Sequence, residues 1–291
     1  MKLLIIPNGT RKESLDFGAR LAELLIEKKQ KTAVLPEFKE IFEKDYSLKT
    51  EKEYTDSDIA VVLGGDGTVL RYARVLHGLE IPIWAVNYGH LGYLTDCDHD
   101  EAFGYVDRLL AGDYETEKRV VIAGRIRSGE KMNSFVAFNE VVAYRARLLR
   151  ALKIDLFIDR KFIQTIHADG LIVSTPTGST AYNWSAGGPV MLPESENMAI
   201  TAIAQSLYSI PSMVTSADSV VSFQVHYPST EGNNESEMPV LTLDSLEKIP
   251  LRDGDAIDIY RDRTPLMLIR VKNLDFYQTL QRKLSFDTGD Y

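Results

Sequence analysis

Cysteine is almost absent. Cys97 stands alone among 291 residues, so an intramolecular disulfide and a cysteine-based zinc site are both excluded, and the thiol reads as buried or idle. Surplus basic charge is missing too. Against 42 Asp and Glu there are only 33 Lys and Arg, a net charge of −9, which works against non-specific attraction to nucleic acid or an anionic membrane surface. If the ligand is anionic, local amides, cations or a metal must hold it. No apolar run approaches the length of a membrane helix, and the opening run Leu3–Ile6 stops at Pro7, too short for a signal-peptide core. The expectation is a cytoplasmic protein. There is no low-complexity tract and no internal repeat. With 44% hydrophobic and 26% charged residues, the composition is that of an ordinary globular chain with one or two cores.

The first hundred residues alternate strand and helix patterns. Leu3–Ile6, Thr32–Leu35, Ile59–Leu63 and Ile81–Val86 are short, nearly continuous apolar runs of the kind found in parallel strands covered on both faces. Between the first two, Leu15, Ala19, Ala22, Leu25 and Ile26 recur at helical spacing over Glu13–Lys29. Past Arg119 the period changes to two. The expected strands there are Val120–Arg127, Phe135–Tyr144, Lys153–Ile158, Phe162–His167, Val220–Tyr227, Val240–Leu243 and Ala256–Tyr260, with a solvated loop at Glu231–Glu235. Leu274, Tyr277, Leu280, Gln281 and Leu284 mark a last amphipathic helix. The fold class is therefore α/β plus mostly-β: an N-terminal open parallel sheet with flanking helices and a C-terminal β-rich, sandwich-like domain. The expected division is 1–97, 98–272, and a C-terminal helix and tail at 273–291 packing back on the N-terminal domain.

One loop carries chemistry. The run Ile59–Leu63 leads directly into Gly64-Gly65-Asp66-Gly67-Thr68, and a helical pattern follows. Three glycines allow positive φ and close approach of a ligand, while amides at a helix N-terminus point at an anion, so phosphate is the natural guest. The spacing fits neither the dinucleotide fingerprint nor a Walker loop. Locally, a tight turn with Asp66 as a helix cap explains the residues equally well. The alternative use of Asp66 is to accept a proton from a substrate hydroxyl or to touch Mg²⁺. The loop resembles the signature of a kinase superfamily that includes diacylglycerol, sphingosine and NAD kinases, which narrows the reaction to phosphoryl transfer onto a hydroxyl.

Two further segments suit a nucleoside. Phe138-Asn139-Glu140 closes a candidate strand, and Asp169 to Pro189 runs from a strand into a polar turn and a helix of small residues. Small residues let a flat ring lie close to backbone, and a carboxylate such as Glu140 can accept both hydroxyls of a ribose. Each segment alone reads as a capped turn. Together with Asn87–Asp96 they resemble the NAD kinase family in order and spacing along nearly the whole chain, with Thr175–Pro189 the most specific block; lipid kinases of the superfamily lack it.

The resemblance implies phosphorylation of the adenosine-ribose 2′-hydroxyl of NAD to give NADP, in a cleft between the two domains. Asp66 would be the proton acceptor, with Gly64, Gly65, Gly67 and Thr68 holding donor phosphates. The NAD-contacting residues would be Asp66, Gly67, Arg71, Asn139, Glu140, Arg150, His167, Asp169, Thr180, Ala181, Tyr182 and Ser185. The 98–272 domain would be the dinucleotide-binding one. No dedicated metal motif is visible, so Mg²⁺ or Mn²⁺ would come with the donor phosphates, touching Asp66 at most. ATP, another triphosphate or polyphosphate all fit as donor. A homo-oligomer, dimer or tetramer, is implied, with no nucleic-acid or membrane partner. The rival readings are a lipid kinase of the same superfamily and a non-catalytic NAD or NADP sensor. Where family members often carry Pro-His and Asp-Gly-Gln, this chain has Ala204-Gln205 and Asp244-Ser245-Leu246, which removes a glutamine contact from the second loop.

Overall fold

The apolar runs fold as strands, joined first by helices and then by turns. A computed structural model describes the chain apart from residues 52, 90–91, 146–150, 207–209, 228–237, 273–274 and 288–291 and the side chains of 284–287. The first ten elements are β1 (Lys2–Pro7), α1 (Lys12–Glu27), β2 (Lys31–Val34), α2 (Pro36–Lys44), β3 (Ile59–Leu63), α3 (Asp66–Leu76), β4 (Ile83–Asn87), β5 (Cys97–Asp98), α4 (His99–Ala111) and β6 (Glu115–Arg119). Then come β7 (Ile122–Ser128), β8 (Lys131–Ala137), β9 (Glu140–Tyr144), β10 (Leu152–Ile158), β11 (Lys161–Ala168), β12 (Gly170–Ser174) and the short α5 (Tyr182–Ser185). The chain continues with β13 (Asn197–Ile203), β14 (Met213–Ser216), β15 (Val221–His226), β16 (Val240–Leu243), β17 (Glu247–Pro250), β18 (Ala256–Arg261), β19 (Leu266–Arg270) and α6 (Phe276–Asp287). The Glu231–Glu235 loop expected from the sequence lies outside the described residues.

The first sheet runs β2-β1-β3-β4-β19-β6, with β5 beside β4. Its pairs β1–β2, β1–β3, β3–β4, β4–β5 and β4–β19 are parallel. Strands β1, β3 and β4 are buried along their whole length, as strands covered on both faces must be. The buried face of α1 takes Ala19, Ala22 and Leu25 from the expected stripe and adds Ser14, Phe17, Gly18 and Leu21, whereas Ile26 is exposed. Gly18 sets that phase. A Cβ there would lie 3.3 Å from Leu63 Cδ1 and 3.4 Å from Ile5 Cγ2, so the helix turns its smallest residue to the sheet. Strand order reverses direction between β1 and β3, and the crevice beyond the carboxyl ends at such a reversal is where open α/β sheets bind ligands. The loops leaving those two strands are Asn8–Arg11 and Gly64–Gly65.

The second assembly is two antiparallel six-stranded sheets, β11-β10-β15-β18-β7-β8 and β14-β13-β12-β9-β16-β17. One buried cluster takes Ile154, Leu156, Phe223, Val225, Ile257 and Ile259 from the first sheet. From the second it takes Val141, Leu171, Val173, Met198, Ile200 and Leu241, as in a sandwich.

The chain divides into two compact units, Met1–Lys118 with Leu266–Tyr291, and Arg119–Pro265. Relative to the expected division after residue 97, α4 and all of β6 but Arg119 fall in the first unit, because α4 packs on β4 and β5 and β6 extends the first sheet beyond β19. β19 falls there too, pairing with β4. In α6 the buried position is Thr279, while Tyr277 is 62% exposed, so the stripe read from Leu274 is out of phase; Leu274 itself is outside the described residues. Among the described residues no helix is long and apolar enough to cross a membrane.

Candidate active site

The phosphate-type loop is shaped by very few constraints. Gly64 N–H continues the sheet to Val86 O (2.9 Å), and Thr68 and Val69 N–H both return to Gly65 O. A Cβ on Gly64 would lie 2.5 Å from Thr68 Oγ1, so the fold itself requires that glycine. Gly65 and Gly67 are different. Nothing lies within 4 Å of where their Cβ atoms would be, and Gly65 has ordinary extended backbone (φ −89°, ψ −175°). The expectation of positive φ is corrected: none of the three glycines takes it, because an extended Gly65 followed directly by helical Asp66 already makes the bend. Two glycines in open space, on backbone any residue can adopt, leave room for a ligand to meet main-chain amides at the start of α3. Asn8, at the end of β1, bonds Leu63 O through its amide (3.1 Å) and Thr68 Oγ1 through its side chain (3.3 Å), which joins the two loops at the reversal point.

Asp66 is not a helix cap. Gly65 is the cap residue, without a side-chain bond, and the Asp66 carboxylate accepts Tyr93 N–H on Oδ2 (2.8 Å) and Leu94 N–H on Oδ1 (3.0 Å). Gly92 makes this approach possible, since a Cβ there would sit 1.9 Å from Asp66 Oδ1. The segment is fastened on either side. Asn87 Nδ2 bonds Gly89 O and Asp98 Oδ1 (2.8 Å each), and the buried Asp96 Oδ2 accepts from Trp84 Nε1, Val271 N–H and Lys272 N–H at 3.0–3.2 Å. A carboxylate accepts about four hydrogen bonds, so each oxygen of Asp66 keeps capacity for a substrate hydroxyl. Arg71 is exposed on α3, its guanidinium 5.6 Å from the Tyr72 ring centroid.

In the second unit the strand expected over Phe135–Tyr144 breaks at Phe138 and Asn139. The cause is Asp244, 105 residues downstream of Asn139. Its carboxylate accepts the N–H groups of Phe138 (3.0 Å), Asn139 (2.7 Å) and Glu140 (3.1 Å), and its own N–H returns to Glu140 O (3.0 Å). Asp244 and Ser245 carry φ of 52° and 58°, the left-handed region, and Ser245 stands where the resembled pattern has glycine. From the other side, Thr175 Oγ1 donates to Phe138 O (2.6 Å) and accepts Gly178 N–H (3.1 Å), while Thr175 N–H meets Asn139 O (2.8 Å). Gly178 is dictated by contact, its Cβ position lying 2.1 Å from Asn139 O.

This clamp leaves two acceptors without partners. Asn139 Oδ1 and Glu140 Oε2 are buried and unbonded. Glu140 is 3% exposed, and burial, followed by the negative charge of Asp244, pushes its carboxyl up to about 8. Buried acceptors with unmet capacity are what a ligand bearing hydroxyls or amines would satisfy.

The small-residue segment is a 3₁₀ turn at Gly178–Thr180 and the single turn α5, shorter than the helix expected. It wraps the buried Asn183, whose Nδ2 bonds Ser179 O and Pro189 O and whose Oδ1 accepts Thr201 Oγ1 (2.7 Å). Thr180 and Ala181 are half-buried, and Tyr182 and Ser185 are exposed. Asp169 pairs with Arg145 (Nη2 to Oδ2, 2.7 Å), a partner the sequence reading did not single out. In the β9–β12 ladder Ser174 faces Glu140 and Gly170 faces Tyr144. Asp169, five residues before Ser174, therefore lies about 16 Å along the strand from Glu140, at ~3.3 Å per residue. These two carboxylates therefore belong to separate clusters. The half-buried His167 is at the Asp169 end, its carbonyl accepting Ser206 N–H (2.8 Å). Arg150 lies outside the described residues. Among the described residues no three His, Cys, Asp or Glu side chains gather as a metal site.

Residues 3–114 match the family model of the ATP-NAD kinase N-terminal domain and residues 138–271 that of the ATP-NAD kinase C-terminal domain. A curated NAD kinase from Thermoanaerobacter sp. (strain X514) is 34% identical, over 98% of this chain and 99% of its own. Another, from Moorella thermoacetica, is 39% identical over 80% of this chain and 73% of its own. Among solved structures, yeast NADH kinase complexed with NADH superposes with a TM-score of 0.87 at 20% identity, covering 100% of this chain and 89% of that one. An NAD kinase from Archaeoglobus fulgidus in complex with ATP gives 0.73 at 21% identity, covering 97% and 99%. Those two likenesses speak to the fold. The C-terminal match spans the block that lipid kinases of the superfamily lack, which sets that rival aside. With both family models matched in order and a curated relative aligned along almost its whole length, the chain belongs to the NAD kinase family and is a phosphotransferase acting on NAD.

Proposed function

We propose that the chain transfers the γ-phosphoryl group of ATP to the 2′-hydroxyl of the adenosine ribose of NAD, with Asp66 as proton acceptor. The observation that carries this reading is the Asp66 carboxylate, fixed by two main-chain amides beside the exposed, side-chain-free Gly67. The 2′-oxygen attacks Pγ, the bond from Pγ to the β–γ bridging oxygen breaks, and ADP leaves. The hydroxyl proton passes to Asp66. Phosphoryl transfer through a loose transition state asks little of a base: the proton becomes acidic as the P–O bond forms, and alignment matters more. Gly65 and Gly67 leave main-chain amides open to donor phosphates. Asn139 and Glu140 would take hydroxyl or amine donors of the dinucleotide on their orphaned oxygens, and Asp169 with Thr180, Ala181, Tyr182 and Ser185 would line its remainder.

Mg²⁺ or Mn²⁺ would be carried in on the donor, touched by at most Asp66, and would supply neutralisation of phosphate charge. ATP as donor is supported by the family description and by the ATP complex of the A. fulgidus relative. A cytoplasmic homo-oligomer, dimer or tetramer, completes the reading, and light scattering after size exclusion checks the assembly. The decisive experiment incubates purified protein with NAD, Mg²⁺ and either ATP, another triphosphate or polyphosphate, scores NADP, and locates the new phosphate by ³¹P NMR. A 2′-phosphate formed from ATP is expected. Binding of NAD without any NADP would leave a sensor, and a 3′-phosphate would displace the proposed alignment.

A further inference from the structure

Arg270, at the end of β19, has no place in the site described so far, yet its guanidinium grips three consecutive carbonyls. Nη2 donates to Tyr93 O (3.2 Å), and Nη1 donates to Leu94 O (3.2 Å) and Thr95 O (2.9 Å). Nε donates to Glu117 Oε2 on β6 (2.7 Å). The pair is largely buried, at 10% exposure for Arg270 and 16% for Glu117. Tyr93–Thr95 is the segment whose amides hold Asp66.

The connection is direct. The Tyr93 carbonyl and the Leu94 N–H belong to one peptide unit, so a continuous chain runs from Arg270 Nη2–H through that peptide to Asp66 Oδ1, with links of 3.2 and 3.0 Å. A cation on the carbonyl end polarises the peptide and strengthens the bond its N–H makes at the other end. Lysine could not reproduce this. Its ammonium is a point charge, whereas the planar fork reaches three carbonyls and a carboxylate together. On another side of the segment, the Tyr93 ring lies 6.0 Å from the Phe276 ring and 5.0 Å from Lys283 Nζ, so α6 fixes the side chain while Arg270 fixes the backbone.

We propose that Arg270, anchored by Glu117, is a positioning residue for phosphoryl transfer, which holds Asp66 in its reactive place through the Tyr93–Leu94 peptide. The proposal rests on the reading of Asp66 as proton acceptor. A purely structural arginine would join β19 to the loop and nothing more, and its loss would lower stability and every kinetic constant together.

A double-mutant cycle separates the two roles: kcat, KM and thermal melts for the full chain, Arg270→Met, Arg270→Lys, Asp66→Asn and the double variant, with NAD, ATP and Mg²⁺. Arg270→Met is expected to lower kcat about 10–100-fold, the cost of a small misplacement at a reacting group, with KM for both substrates nearly unchanged. Arg270→Lys should recover little. In the Asp66→Asn background the same Arg270→Met change should cost no more than about 2-fold, because its route to the reaction is already gone. An equal fall in both backgrounds, or a rise in KM at constant kcat, overturns the proposal. Normal turnover of Asp66→Asn would instead overturn the reading of Asp66. Loss in Asp66→Asn with none in Arg270→Met would remove Arg270 alone. Should Arg270→Met fail to fold, Glu117→Gln enters the cycle in its place, and an unchanged kcat there also overturns the proposal.

Discussion

Asp66 and Glu140 are both carboxylates at the first residue of an element, α3 in one unit and β9 in the other, and their surroundings treat them in opposite ways. Asp66 is half-exposed and supplied with two amide donors. Glu140 is buried, its Oε2 has no partner, and the amides of Asn139 and Glu140 itself go to a second carboxylate, Asp244. The contrast separates two tasks. A group that must meet a reacting hydroxyl needs its position secured before substrate arrives, and fixed amides do that without reorganisation during the reaction. A group that only binds gains selectivity from capacity left unmet, because a ligand with matching donors relieves a buried acceptor and one without them does not.

The largest effects should come from the first carboxylate. With the chain at −9 and a polyanionic donor, excess EDTA should abolish NADP formation and Mg²⁺ or Mn²⁺ restore it; full turnover in chelator would move charge neutralisation onto basic side chains. Asp66→Asn should lower turnover by roughly two to four powers of ten while NAD binding, read by calorimetry, is largely kept. If that variant turns over normally, Asp66 is a fastening for the Gly92–Thr95 segment and the contrast with Glu140 collapses.

A pair of glycines sharpens the point about preorganisation. Gly92→Ala places a methyl 1.9 Å from Asp66 Oδ1, so the carboxylate must move, and kcat should fall about 100-fold. Gly65→Ala meets nothing within 4 Å on backbone that alanine adopts freely. The melting temperature should hold or rise slightly there, while KM for the donor increases. If Gly65→Ala leaves donor affinity unchanged, the open face of that residue is not where phosphates lie.

The second carboxylate should show a smaller effect of another kind. Glu140→Gln is expected to weaken NAD binding by about 1.5–3 kcal/mol, the range for hydrogen bonds to charged groups, with little change in donor affinity. Equal loss for both ligands in a titration would point to a disturbed fold.

Much of this was legible in the sequence wherever the signal is local. Ile59–Leu63 and Val240–Leu243 are strands with the bounds their apolar runs suggest, and the glycine loop opens α3 as expected. The break at Phe138–Asn139 was not legible, since those residues continue an alternating pattern and only the carboxylate of Asp244, far along the chain, interrupts it. The roles of Gly92 and Arg270 were hidden for the same reason: each is defined by a contact with a residue at least 26 positions away. Helical phase failed at Ile26 and Tyr277 because amphipathic spacing tolerates a shift of one residue, and the true inner faces are set by close packing at Gly18 and Thr279.

The subtlest consequence of the contrast is a pH dependence of stability confined to the second unit. Glu140 is held near 8 in the folded chain, against an ordinary value of 4.5 that the unfolded chain recovers. Between those limits the folded state keeps a proton that the unfolded state releases, so stability is fullest below about 4.5 and falls as pH rises through 8. One proton contributes at most about 1.4 kcal/mol per pH unit, and with the folded group half-titrated near the upper limit the loss between pH 7 and pH 8 should be about 1 kcal/mol. That corresponds to about 2–4 °C in melting temperature for a unit of this size. Other groups titrate as well, so the informative quantity is the difference between the native chain and Glu140→Gln, which carries no charge at any pH. The native chain should lose stability relative to the variant as pH rises from 7 to 8. Saturating NAD should shrink the difference, since donors brought to Oε2 favour the ionised form. Parallel melting curves for the two proteins across that interval would mean that Glu140 is already satisfied in the free chain, and the distinction between a secured carboxylate and an unsatisfied one would no longer hold.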